Sequence, residues 1–433
     1  MRHLFHFFCA ALLFPFGSMA AQSPAPAADA SHADQEQLVY TVMVERHGVR
    51  SPTGKSSQYD RFAASPWPTW DVQPGYLTAH GYELMKLFGA YDREHLASQG
   101  LLQPHGCDDS AHVTVHADSD QRTRETAKAL VEGMFPGCNL QVKALEEGTN
   151  DPLFHLPGAA ITPEQAALGA AAVLGRIGND PGAVATAYHA ELAALDRVLS
   201  GCGASNAEGK RTSIFEVPAA VSAGNGDHIA DVRGPLNTAS TLSEILLLEY
   251  TEGRPSKDVG WGCVDGAKLR ELIGLHTAAS DIALKTEAVA VPQSAALLRS
   301  VALSLRQAAD GRGVRGAEGR PSDKLLLLVG HDTNLTNIAG ALHLNWLLDG
   351  RRDDTPPGSA LVFELRRKKG SSQLSVRTYF TAQTLEQMRE ASALSETKPP
   401  ARVPVFVPGC SRTDGSCDAN AMSQLLLHVA ESR

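Results

Sequence analysis

Lys324 to Val329 reads KLLLLV, a run that is uniformly apolar after its first residue. Such a run suits a strand covered on both faces, as in a parallel sheet flanked by helices. It ends in Gly330-His331-Asp332, and a helix-like stretch from Leu335 to Leu342 follows. The same order recurs twice. Leu38 to Glu45 (LVYTVMVE) is apolar and β-branched and runs into Arg46-His47-Gly48-Val49-Arg50-Ser51-Pro52. Val113 to His116 (VTVH) leads to Asp118–Asp120 and a helix-like stretch from Arg122 to Met134. Strand, polar loop, helix is the grammar of an α/β fold, in which ligands bind outside the carboxyl ends of strands. Leu361–Leu365 and Leu374–Phe380 predict later strands.

The chain has 433 residues, enough for two domains or for one with a large insertion. Its middle differs from its ends. Thr162 to Ser200 is Ala/Leu-rich at helical spacing, and Leu242–Glu249 and Ala267–Leu284 are also helix-like. We therefore expect an α/β domain from residues 38–155 and 285–433, with a mainly helical insertion at 156–284. Residues 307–323 carry Gly311, Gly313, Gly316 and Gly319 among charges, which predicts an exposed loop.

The first 21 residues are expected to be a signal peptide. Arg2 supplies positive charge, Leu4–Phe16 a short apolar stretch, and Ser18–Ala21 small residues for cleavage after Ala20 or Ala21. The apolar run is too short for a comfortable membrane anchor. Residues 22–37 read as a disordered lead-in, Ala/Pro/Ser-rich over most of their length. Export to a periplasmic or extracellular space fits the cysteines. Cys9 leaves with the leader, and six remain. An even number in an exported chain predicts three disulfides, for which sequence alone allows about 15 connectivities. Cys410 and Cys417 bracket a short polar loop and make a natural local bridge. No CxxC or close Cys/His spacing offers a zinc site. The net charge of −9 disfavours nucleic acid or an anionic membrane as partner.

The loops carry the chemistry. Neutral imidazole attacks phosphorus, which makes His47 a candidate nucleophile. Arg46 and Arg50 flank it, and guanidinium binds phosphate oxygens bidentately. Gly48 removes a Cβ that would obstruct close backbone approach. Asp332 can protonate a leaving oxygen, and His331 can hydrogen-bond the phosphoryl group. Arg122, just past a strand end, is the best third phosphate ligand, with Arg124 its competitor. The histidines at 80, 105, 116 and 276 have no metal-ligand spacing and read as structural or surface groups. Trp67, Trp70, Trp261 and Trp346 read as core or cleft wall.

RHGVRSPT (46–53), SPWPTW (65–70), LTAHG (77–81), ADSDQRTRET (117–126), DPLF (151–154), GHDTNL (330–335), LNW (344–346) and DTPPG (354–358) together resemble the histidine acid phosphatases. The bacterial periplasmic phytases are the nearest branch and the glucose-1-phosphatases the next. The resemblance covers most of the mature chain. It implies a phosphoglycerate-mutase-like α/β domain with an inserted helical domain, and an active site in the cleft between them. It implies His47 as nucleophile, Asp332 as proton donor, and Arg46, Arg50, Arg122 and His331 as phosphate ligands. Thr53 and Asp118 match substrate-facing positions. Neither metal nor organic cofactor is implied. The expected partner is a small phosphate monoester, phytate foremost, and the chain is expected to act as a monomer. The resemblance also implies bridges Cys107–Cys138 and Cys410–Cys417, leaving Cys202 with Cys263. One departure bears on substrate. The phytases carry lysine directly after the threonine of RHGxRxPT, whereas here Gly54 stands there and Lys55 follows.

Overall fold

The apolar runs become neighbouring strands. A computed structural model describes residues 36–157, 160–202 and 211–432. The expected signal peptide, Cys9 and nearly all of the expected lead-in lie outside the described residues. The strands are β1 (Glu36–Arg46), β2 (Val113–Ala117), β3 (Val142–Lys143), β4 (Ala220–Ala223), β5 (Ala230–Arg233), β6 (Leu325–Gly330), β7 (Leu347–Leu348), β8 (Arg351–Arg352), β9 (Ala360–Lys368), β10 (Leu374–Ala382), β11 (Ala401–Pro404) and β12 (Ser416–Asp418). Eight form one mixed sheet in the order β11-β10-β9-β1-β6-β2-β3, with β12 beside β10. β1, β6 and β2 are parallel, while β9 runs antiparallel to β1. The first strand starts two residues before Leu38, and Glu36 ion-pairs with Arg377 on β10.

Alternate side chains of a strand point to opposite faces, and the core divides accordingly. Val42 and Val44 of β1 and Leu326 and Leu328 of β6 pack with helices Glu287–Asp310, Asp332–Ala341 and Ala419–Glu431. Met43, Leu325, Leu327 and Val329 pack with helices Ala79–Ser98 and Gln121–Met134. This three-layer arrangement explains why KLLLLV shows no polar alternation. Helices Ala79–Ser98 and Glu287–Asp310 have no counterpart in the sequence reading. The second is apolar and long enough to cross a membrane by composition alone, but its buried residues line the sheet. It runs on to Asp310 and stops at Gly311 in the left-handed region, so the loop expected from residue 307 begins later.

Helices Ala79–Ser98 and Gln121–Met134 meet backbone to backbone. A Cβ on Gly89 would strike the Leu130 carbonyl, and one on Gly133 the Lys86 carbonyl.

Between residues 156 and 284 the chain forms helices Pro163–Arg176, Pro181–Ala187, His189–Leu199, Pro235–Thr251 and Gly266–Ala283, and the β4–β5 hairpin. The last three of these helices share a core with Phe62, Trp67, Leu385 and Met388. Helical packing thus continues into short segments contributed by the sheet-bearing parts of the chain, among them the helix Leu385–Glu390. Disulfides join Cys107–Cys138, Cys202–Cys263 and Cys410–Cys417.

One buried pair has a thermodynamic consequence. Glu45 shares the Met43 face of β1, and Asp92 lies on the buried side of the Ala79–Ser98 helix. Both Glu45 carboxyl oxygens and Asp92 Oδ2 are buried without hydrogen-bond partners among the described residues. Burial pushes Asp92 up to about 7, despite nearby Arg402. Burial and the Asp92 charge push Glu45 well above the usual carboxylate range. A carboxyl raised in the folded state favours folding at pH below its unfolded value, and that contribution is lost as pH rises to the folded value. We expect stability to decline between about pH 4 and pH 7 on account of Asp92. Asp92→Asn should flatten that decline in urea titrations run across this range. An unchanged slope would count against the assignment.

Candidate active site

Three parallel strand ends converge. His47 follows β1, Asp118 follows β2 and His331 follows β6. The backbone NH of His47 donates to the Gly330 carbonyl at 2.9 Å, and that of Asp118 to the Val329 carbonyl at 2.9 Å. Ladder-type bonding therefore runs one residue past the strands and holds the three loops in register. The DTPPG segment closes over the first loop, where the Gly358 NH donates to the His47 carbonyl at 3.0 Å. Gly48 serves packing rather than ligand approach. A Cβ there would lie 2.7 Å from Met85 Cγ and 3.1 Å from the Gly81 carbonyl.

His47 is 1% exposed. Its Nδ1 lies 2.9 Å from the Gly48 carbonyl, which accepts a hydrogen bond from Nδ1–H and leaves the lone pair on Nε2. Burial, then Arg50, Arg122 and Arg46, hold its pKa well below the ordinary histidine value. The environment therefore favours the neutral, nucleophilic ring. The Arg50 Nε lies 3.4 Å from His47 Nε2. Arg46 donates to the Thr355 carbonyl, and its Nη2 lies 3.3 Å from Asp332 Oδ2. Arg122, rather than Arg124, completes the ring, with Nη2 at 3.3 Å from His331 Nδ1 and 2.6 Å from Asp120.

His331 is the N-cap of the helix that Asp332 begins, and its NH donates to Asn334 Oδ1 at 2.8 Å. Its Nε2 lies 2.6 Å from Asp118 Oδ2. Burial alone would raise the Asp332 carboxyl, but Arg46, His276 and Arg50 hold it far below the usual range. Thr53 is exposed at the mouth of this cluster. A Cβ at Gly75 would sit 3.6 Å from Arg122 Nη1 and 3.7 Å from Thr53 Cγ2, so the three are neighbours. Lys55 is exposed at the cap of the Ser56–Gln58 turn, and the structure does not bring it into the cluster. Gly54 has a local reason, because a Cβ there would strike the Tyr59 hydroxyl.

Three neighbours escape the sequence reading. Glu244, on the Pro235–Thr251 helix, accepts from Arg46 at 2.6 Å and from Arg50 at 3.1 Å. His276, expected to be structural or surface, instead reaches the site. Ser240 holds its Nδ1 at 3.0 Å and its Nε2 stands 4.0 Å from Asp332. His155 places Nε2 2.7 Å from Asp118. His80 and His116 are structural as read, bound to the Met388 carbonyl and to Asp151. Trp67 and Trp346 are core, as read. Asp118/His155/His331 and Glu244/His276/Asp332 each have the composition of a metal-ligand set. Their carboxylates already accept from imidazole or guanidinium partners. What the arrangement can do is hold a tetrahedral oxyanion among three guanidiniums, with one imidazole nitrogen aimed at its centre and a carboxyl beside it.

The comparisons agree with this geometry. Residues 37–177 match the model of the histidine phosphatase superfamily (branch 2). The chain is 32% identical over 425 residues to phytase AppA of Escherichia coli, covering 96% of this chain and 97% of that one. It is 29% identical to a glucose-1-phosphatase of Salmonella typhimurium, covering 91% and 93%. Among solved structures, the phytase of Citrobacter braakii superposes with a TM-score of 0.81 at 33% identity, over 91% of this chain and 98% of that one. Hafnia alvei phytase in complex with myo-inositol hexakis sulphate gives 0.80 at 32%, over 94% and 100%.

Proposed function

The chain belongs to the histidine phosphatase superfamily, branch 2, and is a phosphatase; from that premise we propose that it is an exported acid phosphomonoesterase acting on phytate. The observation that carries the mechanism is the neutral, oriented His47 facing three arginines. Its Nε2 attacks phosphorus in line, the ester P–O bond breaks, and the leaving oxygen takes a proton from Asp332. Arg46, Arg50 and Arg122 stabilise the equatorial oxygens, with His331 as a further donor. Water then attacks the phosphohistidine and gives a proton to the Asp332 carboxylate. The N–P bond breaks, inorganic phosphate leaves, and His47 and Asp332 return to their starting states.

Arg46 beside it favours the ionised form of Asp332. A bound phosphate dianion takes over the guanidiniums and raises the carboxyl, so that it holds a proton in acid. An acid optimum follows.

Phytate is favoured by the similarity to phytases in both sequence and structure. In this reading Thr53, exposed beside Arg122, faces substrate, whereas Asp118 is buried and acts through His331 and His155. The glucose-1-phosphatase reading is kept alive by Gly54, where a lysine contact is missing. Export rests on the leader-like first 21 residues and the three disulfides. The protein acts as a monomer in this reading. Rates on phytate, glucose 1-phosphate and an aryl phosphate at acid pH decide the substrate. We expect phytate to have the highest kcat/KM. A glucose 1-phosphate preference would move the chain to the other branch.

A further inference from the structure

We propose that His155 is a positioning residue that governs the protonation of His331 through one oxygen atom that both imidazoles share. The inference rests on the phosphatase reading above. Asp118 Oδ2 lies 2.6 Å from His331 Nε2 and 2.7 Å from His155 Nε2, and the two rings stand 5.1 Å apart. Asp118 Oδ1 is buried and has no hydrogen-bond partner among the described residues, so the carboxylate serves both rings from a single atom. His155 lies outside the ring of phosphate ligands, in the segment that follows DPLF.

The two rings differ in access to water. The His155 side chain is 29% exposed and that of His331 5%. Burial works against a charge on His155, but the hydrogen bond and the charge of Asp118 outweigh it, and the pKa is raised. For His331 burial is the largest influence, Asp118 opposes it, and Arg122 and His155 act with burial to lower the pKa. The other charged groups around the pair are Asp120, Asp227, His47 and Asp332. The first proton in acid therefore goes to His155, and Asp118 balances it. His331 keeps Nε2–H on Asp118, with Nδ1 facing Arg122. To donate from Nδ1 to a phosphoryl oxygen it needs a second proton, and a charged His155 makes that proton harder to hold. His155 so narrows the pH range over which His331 serves as a donor.

The test is the pH profile of kcat/KM for His155→Asn, with His155→Gln as a second variant should the first fail to fold. Without the competing ring, His331 holds its proton to higher pH. The alkaline limb should move up by about 0.5–1 pH unit, with kcat at the optimum within about threefold of the parent. An unmoved limb in a folded variant overturns the proposal, as does loss of activity at every pH. Histidine Cε1 NMR titration of the parent and the variant supplies a readout independent of turnover. The His331 midpoint should rise in the variant, and an unchanged midpoint overturns the coupling. A parent protein without phosphatase activity would sink the functional reading instead, while the titration still decides the coupling.

Discussion

His47→Ala should lower kcat on any phosphate monoester by at least about 10⁴-fold, because it removes the only step that forms a covalent intermediate. The imidazole is set for attack by two constraints that alanine cannot reproduce. The Gly48 carbonyl accepts a hydrogen bond from Nδ1–H, and burial with the surrounding guanidiniums keeps the ring neutral. The backbone contacts of residue 47, to Gly330 and Gly358, do not involve the side chain. The variant should therefore fold, which circular dichroism can confirm. Acid quenching during turnover of a radiolabelled ester should trap phosphate on the parent protein and none on the variant. Residual turnover above about 1% of the parent would exclude His47 as nucleophile.

Asp332→Asn is the second large effect, and its size should depend on the leaving group. An alkoxide departing from inositol needs a proton, whereas an aryl oxide leaves well without one. General acid catalysis contributes about 10²–10⁴-fold. We expect a loss of that order on phytate and a clearly smaller loss on an aryl phosphate in the first step. Arg46 remains paired with Glu244 in the variant, so the guanidinium ring keeps its shape. Equal losses on the two substrates would place Asp332 in phosphate positioning rather than proton donation.

The parts of the site legible in the sequence are those that sit directly after strands. KLLLLV followed by His331-Asp332, and LVYTVMVE followed by Arg46-His47, each carry their own context. Glu244 and His276 carry none. They sit within helices whose sequence reports only burial, and their aim depends on how those helices cross the sheet ends. A carboxylate inside an apolar helix is the one available signal, and it is ambiguous. Glu244 and Glu249 share the Pro235–Thr251 helix, yet Glu244 clamps Arg46 and Arg50 while Glu249 accepts from the Gly260 NH. His155 was hidden for a related reason, since its partner Asp118 is distant in sequence and adjacent only through the sheet. Gly48 shows the reverse case. Its presence was legible, but its cause is Met85 and the Gly81 carbonyl rather than a ligand.

The glycine contacts at 89 and 133 bear on where this enzyme can be remodelled. At those two points no side chain cushions the helices, so the pair acts as one stiff slab. The helices that bring Glu244 and His276 instead pack through ordinary side chains, Leu84 of the Ala79–Ser98 helix among them. Accommodation of a bulkier ester thus falls on those helices. Variant libraries aimed at new leaving groups belong in residues 235–283, whereas side chains added at Gly89 or Gly133 will mostly return misfolded protein.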